Sequence, residues 1–440
     1  MGKKFIEHFL FLSEKYFRIK EYRIMKRIIW LLFLVPFALM AEQYTLDELI
    51  DYGLKNSLTI QSSGLTYESI RSNLTSAKLN LLPEISLDLG VRNDFYHPET
   101  PKASDLSSSA GFSISKSLSL NDPYWYNYKY AQLDEKRGAL DLQSKISSYA
   151  YNVFTAYLDV LSSQKQLLSL NKNLEIQTRV WEQTKILNQL GKNTSFDVKE
   201  SEIAVMNSRI SIMQLENTIS TKRRELFGLV NMKDEGYDLA DLEPDKELTI
   251  PDFSPETSYA IKTLQNELIR TQLSLKQNKT DFLPQLKLTY SFARNARGED
   301  FSFESYNTEH TLSLGISYSI WNQFKQNQTV KRSNLSVRMA ELNIQDQLDE
   351  MERLYEILTR ELEYLNRLDE LYQEKLEQAN SQIQIAEERY RLGLIDLLEL
   401  DKTRVDFINS EISYYSNRYQ ILAKQEAINN LLSLKIMGKW

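Results

Sequence analysis

The sequence predicts a mainly α-helical protein with a membrane β-barrel part, built from a strand–strand–long-hairpin unit that is written twice. Three observations carry this. Pro83 and Pro284 lie 201 residues apart, and Gly191 and Gly393 lie 202 apart, with the same succession of patterns between each proline and its glycine. Self-similarity at a fixed offset marks an internal repeat. After each proline the chain alternates apolar and polar residues, the period of a strand with one apolar face. The runs 129–190 and 324–392 then contain no proline and one glycine, Gly138. As continuous helices they would be roughly 90–100 Å long, several times the thickness of a small domain.

The elements follow in order. Met25 stands where an initiator would, so residues 1–24 are an upstream-start artefact or a long n-region. Lys26 and Arg27 precede the uncharged run Ile28–Leu39, and Met40-Ala41-Glu42 follows. That is the plan of a secretory signal over 25–41, and a buried core helix is the other reading. The run falls short of the about 20 residues that span a bilayer. No cysteine follows it, which excludes a bacterial lipid anchor at this site. The first repeat covers 42–230 and opens on the capping box Thr45-Leu46-Asp47-Glu48. Pro83 then disfavours helix in the residue before it and removes a backbone donor, so helix gives way abruptly to strand. Strands are expected at 85–95 and 109–120, and helices at 129–190 and 195–228. Residues 231–253 form an acidic, proline-bearing linker. The second repeat, 254–436, starts at Ser254-Pro255-Glu256 with proline at the first helical position. It repeats the switch at Pro284, with strands at 285–295 and 310–321, helices at 324–392 and 396–434, and a short tail at 437–440.

Each strand places Leu, Ile or aromatic residues on one face and Ser, Thr, Lys or Gly on the other. Leu87, Leu89, Ile114, Leu118, Leu288, Tyr290, Leu314 and Ile316 are the candidates for the greasy face. A half-buried strand of a soluble sheet alternates in the same way, as does a barrel strand of about 9–11 residues with lipid outside and water inside. Aromatic residues at both strand ends favour the membrane reading: Tyr124, Trp125, Tyr126 and Tyr128 after the second strand, Trp321 and Phe324 after the fourth, Phe95, Tyr96, Phe301, Phe303 and Tyr306 at the opposite end. Four strands cannot enclose water, and an open edge is not tolerated in lipid. If these strands span a membrane, several copies must share one barrel.

In the second long helix Leu358, Leu362, Leu365, Leu368, Tyr372, Leu376, Ala379, Ile383, Ala386 and Tyr390 recur at the coiled-coil period. Each long helix ends at a glycine suited to a left-handed cap, and a second helix restarts within a few residues. Thr194 or Ser195 can cap the first restart, with Asp197 in its first turn.

Composition narrows the function. The chain has 440 residues and a net charge of −7, which argues against nucleic acid. It has no cysteine and three scattered histidines, His8, His97 and His310, which leaves no thiol chemistry and no histidine metal site. No phosphate loop, nucleophile elbow or paired-histidine zinc motif is present, so no catalytic residue, metal or cofactor is assigned.

LLPEISLDLG and FLPQLKLTYS at the helix-to-strand switches, with LGKNTSFDVKESE and YRLGLIDLLELDKTR at the hairpin tips, resemble the TolC family of outer-membrane efflux channels over about residues 43–436. The resemblance implies a homotrimer with a shared twelve-stranded barrel in outer-membrane lipid and a helical tunnel across the periplasm. It implies docking to a periplasmic adaptor (membrane fusion) protein and an inner-membrane pump of unspecified class, in a tripartite efflux or type I secretion system. Family acids past the tip glycine ring the periplasmic aperture. The matching positions are Asp197, Glu200 and Glu399; a further acidic position is Lys402 here, with Asp401 adjacent. Facing carboxylates would repel anions and hold cations, although solvated helix-start carboxylates look the same in sequence. Gly191, Gly393 and Leu394 are the adaptor-contact candidates on the same resemblance. The rival to a passive exit duct is a soluble periplasmic coiled-coil adaptor or scaffold, which does not require two strand pairs with aromatic ends.

Overall fold

The computed structural model describes residues 43–94, 105–119, 121–242, 250–298, 305–318, 320 and 322–439. The expected signal segment, the aromatic loop positions Phe95, Tyr96, Phe301 and Phe303, and Trp321 lie outside these residues. In chain order the elements are β1 (Gln43–Tyr44), α1 (Leu46–Asn56), α2 (Leu58–Leu79), β2 (Glu84–Asp94), β3 (Asp105–Ser119), α3 (Pro123–Gln189) and α4 (Ser195–Leu229). They continue as β4 (Asp238–Leu239), α5 (Tyr259–Thr280), β5 (Gln285–Gly298), β6 (Ser305–Ser317), α6 (Asn322–Arg391) and α7 (Leu397–Leu431).

α3 and α6 run the whole length of the molecule, 67 and 70 residues, about 100 Å each. On the sheet side, α2 packs on α3 and α5 lies between α3 and α6. On the far side α4 packs on α3, and α7 lies between α3 and α6. The four-helix order α2-α3-α5-α6 continues into a four-stranded antiparallel sheet of order β2-β3-β5-β6.

Among the described residues the cores lie along the helices and none lies in the sheet. One gathers Leu49, Ile50, Val153, Phe154, Leu226 and Phe227 around the buried Tyr157. Tyr157 hydroxyl donates to Ala240 carbonyl at 2.6 Å and also lies 3.1 Å from the Tyr44 carbonyl, tying α3 to the parallel pair β1–β4. A second core, with Ile261, Met351, Leu362, Ile428 and Leu432, repeats the arrangement in the other half.

The capping box at Thr45 forms. Differences from the expected bounds have local causes. α3 starts at Pro123 rather than 129, because Asp122 caps it through the Tyr124 amide (2.9 Å) with proline at the first helical position. Tyr124, Trp125, Tyr126 and Tyr128 thus sit in its first turns rather than at a strand end. Pro255 opens only a 3-10 turn, and α5 begins at Tyr259. β3 and β6 begin at Asp105 and Ser305, earlier than the alternation indicates, because polar residues there continue the ladder beyond the apolar stretch. The coiled-coil seam buries Leu362, Leu365, Ala379 and Ala386, but Tyr390 is exposed near the tip.

Candidate functional site

Two regions carry the candidate residues: the sheet and the opposite hairpin tips. At each switch into the sheet the helix closes with the same turn. Leu82 amide donates to Leu79 carbonyl at 2.9 Å before Pro83, and Leu283 amide to Thr280 carbonyl at 3.0 Å before Pro284. Strands begin one residue later.

The register puts all eight greasy-face candidates on one side. Leu118, Leu288 and Leu314 share a row, Lys116, Tyr290 and Leu312 the next, and Ile114 and Phe292 the one beyond, while Leu87 opposes Phe112 and Leu89 opposes Ala110. Tyr290 and Ile316 belong to the same face. Leu87 is 71% exposed, Leu89 73%, Leu314 66% and Ile316 71%; Leu118, Leu288 and Tyr290 are exposed and Ile114 half-buried. The other face carries Ser86, Asp88, Ser113, Lys287, Thr289 and Ser313, with Ser86 and Ser113 hydroxyls 2.6 Å apart. A contiguous apolar face of this size, exposed on one chain, requires an apolar environment. Both outer strands, β2 and β6, leave one edge unpaired within the chain.

At the tips both long helices close with the same backbone hydrogen bonds. Gly191 (φ +71°) and Gly393 (φ +73°) are left-handed. Lys192 amide donates to Leu187 carbonyl and Leu394 amide to Arg389 carbonyl, while the glycine amides reach Asn188 and Tyr390, a Schellman closure in both halves. Gly191, Gly393 and Leu394 are exposed. Thr194 caps α4, and its amide donates to Asp197 carboxylate at 2.8 Å, so one oxygen of Asp197 serves the backbone. Glu200 is exposed.

The second tip differs. Asp396, which the sequence reading did not single out, caps α7 by accepting the Glu399 amide at 2.8 Å; an Asp directly before a leucine run and three residues before a Glu was its available signal. Exposed Glu399 lies 3.9 Å from Arg389. Asp401 stands apart from the other acids: it is 1% exposed, with Arg404 at 3.3 Å and Arg179 of α3 at 3.7 Å. Arg404 also reaches Glu387 of α6 at 3.1 Å. Burial pushes the Asp401 carboxyl above the usual aspartate range, against the pull of Arg179 and Arg404. Its charge is engaged between helices of one chain rather than presented at the tip. Asp197, Glu200 and Glu399 remain the tip carboxylates in reach of solvent.

Among the described residues there is no cluster of three His, Cys, Asp or Glu that could hold a metal, and no helix long and apolar enough to cross a membrane. The model of the outer membrane efflux protein family matches residues 49–231 and 257–433, both repeats and nearly all the helical body. The chain belongs to the outer membrane efflux protein family. Its fold is that of solved channels at low identity. The Campylobacter jejuni CmeC outer membrane channel is 15% identical, with 88% of this chain and 85% of that chain covered at a TM-score of 0.73. VceC, an outer membrane protein of Vibrio cholerae, is 12% identical, with 89% and 96% covered at 0.74. The open state of the Neisseria gonorrhoeae MtrE outer membrane channel is 14% identical, with 90% of each chain covered at 0.70. No curated protein sequence matches the chain. As an outer membrane efflux protein, it resides in the outer membrane with its helical body toward the periplasm.

Proposed function

We propose that three copies close one twelve-stranded barrel, and that the resulting homotrimer is the passive exit duct of a tripartite efflux or type I secretion system. The observation that carries this reading is the sheet: four strands with one exposed apolar face and two unpaired edges. β2 and β6 run antiparallel to one another, so β6 of one copy can pair antiparallel with β2 of the next around a ring. Lipid then covers the apolar face and water fills the polar one. A soluble adaptor or scaffold would leave that face in water.

At the other end, the exposed tips with Gly191, Gly393 and Leu394 dock a periplasmic adaptor, which links the duct to an inner-membrane pump. Asp197, Glu200 and Glu399 ring the periplasmic entrance, and no step of catalysis is involved. Three-fold repetition of these carboxylates would attract cations and hinder anions. Replacing Asp197 and Glu399 by Ala together should weaken blockade by divalent cations and change single-channel conductance in planar bilayers. Conductance and cation blockade identical to the unmodified channel would remove these residues from the entrance.

A further inference from the structure

The apolar face of the sheet carries no carboxylate among its described side chains; Glu84, Asp88 and Glu309 all fall on the polar face. Its basic groups are three. Lys116 lies at the helix end of the sheet, where its ammonium donates to the Leu81 carbonyl at 2.7 Å and sits over the Tyr124 ring. Arg294 and His310 lie at the far end on the neighbouring strands β5 and β6, Arg294 opposite Thr308 and His310 opposite Phe292. Both are exposed.

The surroundings of His310 form a built cluster. The His310 ring is 4.9 Å from that of Phe292, its Nδ1 is 3.1 Å from the Tyr290 hydroxyl, and Phe292 meets Phe112 edge-on at 6.3 Å. Arg294 comes nine residues after Gln285, where the strand begins. At ~3.3 Å per residue and a tilt of ~40°, it stands about 23 Å from that start, level with the far limit of an apolar band about 25 Å tall. At that height an aromatic ring meets the headgroup layer, and a guanidinium extends its charge into it. The corresponding first-half positions, 201 and 202 residues earlier, are Asn93 and Ser108, so the basic pair belongs to the second half alone.

We propose that Arg294 and His310 form a binding site for the phosphate of a lipid headgroup in the outer leaflet, one site per chain. The guanidinium takes two phosphate oxygens in a bidentate pair. His310, braced by Tyr290 and Phe292, supplies a third donor, and the acyl chains lie along Phe112, Ile114 and Leu312. The proposal rests on the membrane reading of the sheet and adds a ligand to it.

Native mass spectrometry of the detergent-extracted assembly tests it, with phosphatidic acid, diacylglycerol of the same acyl chains, and inorganic phosphate as probes. The unmodified protein should retain one phosphatidic acid per chain, with little diacylglycerol. Combined Arg294→Gln and His310→Gln should weaken retention by about tenfold or more, as expected for the loss of charge-assisted hydrogen bonds. Arg294→Lys should fall between, and Lys116→Gln should leave retention unchanged. Equal retention by the double variant overturns the site. Inorganic phosphate held as firmly as phosphatidic acid would make it a free-anion site, and diacylglycerol held as firmly would make it an acyl groove; either result overturns the proposal. Failure of the unmodified protein to extract with membranes would instead overturn the membrane reading beneath it.

Discussion

Replacing Leu312 by Arg tests the two-faced sheet quantitatively. Leu312 is 70% exposed and pairs with Tyr290, five residues into β5, which puts it about 13 Å from the strand start, near the middle of an apolar band about 25 Å tall. The cost of Arg on a lipid-facing barrel position is about 2–4 kcal/mol at the midplane and falls to about 0–1 near the interfaces. A three-fold assembly carries the substitution three times at well-separated sites, so the penalties add to about 6–12 kcal/mol per barrel. That exceeds or matches the whole stability of many domains. Ile316→Arg, opposite Leu286 at the helix end of the strand, should cost less. Ser313→Arg, on the polar face at nearly the same height, should cost close to nothing. The assay is denaturant-induced unfolding from lipid vesicles, with recovery in the outer-membrane fraction beside it. Equal penalties for Leu312→Arg and Ser313→Arg would refute the assignment of faces, since adjacent residues differ in little but their direction.

Two further outcomes are expected. Burial raises the Asp401 carboxyl above its unfolded value, so the folded state binds the proton more readily, and the group's contribution to stability is lost as pH rises through the folded value. Asp401→Asn should therefore match the unmodified protein at pH below the ordinary aspartate range and exceed it in stability at neutral pH, measured by thermal melts across pH. A variant less stable at neutral pH would mean that Arg179 and Arg404 outweigh burial. Gly393 has its φ at +73° with nothing within 4 Å of an added Cβ, so Gly393→Ala carries backbone strain alone, about 1–2 kcal/mol. Gly393→Asn should cost less, because Asn tolerates this region, and equal melts for Ala, Asn and Gly would remove the strain argument.

Much of the fold was legible because its signals are periodic or duplicated. The paired prolines fixed where helix becomes strand, and the strand period named the apolar face residue by residue, because a single alternation leaves no choice of side. The paired glycines fixed both tips. Strand lengths were not legible. Asp105 to Ser109 and Ser305 to Glu309 pair in the ladder, but polar residues beyond the apolar band carry no alternation to read. The start of α3 at Pro123 was hidden by aromatic residues that suited a strand end equally well.

The site was legible only in part. Thr194 and Asp197 form their capping box as a local motif predicts. Asp401 shares the helix-start sequence of the tip acids, yet it is buried. Its partner Arg179 lies 222 residues earlier in the chain, and no local pattern reports an ion pair between repeats. Arg294 and His310 were likewise unreadable as a pair, since only the β5–β6 register brings them onto neighbouring strands.

The absence of native cysteine allows the central claim to be tested by directed crosslinking. Ser86→Cys on β2 combined in turn with Ser313→Cys, Gly315→Cys and Ser317→Cys on β6 samples successive registers of an edge-to-edge pair between copies. Oxidation in intact outer membranes should give, for at least one pair, a ladder of one, two and three chains that stops at three. Crosslinks absent in every register, or a ladder that continues past three, would contradict a barrel closed by three chains.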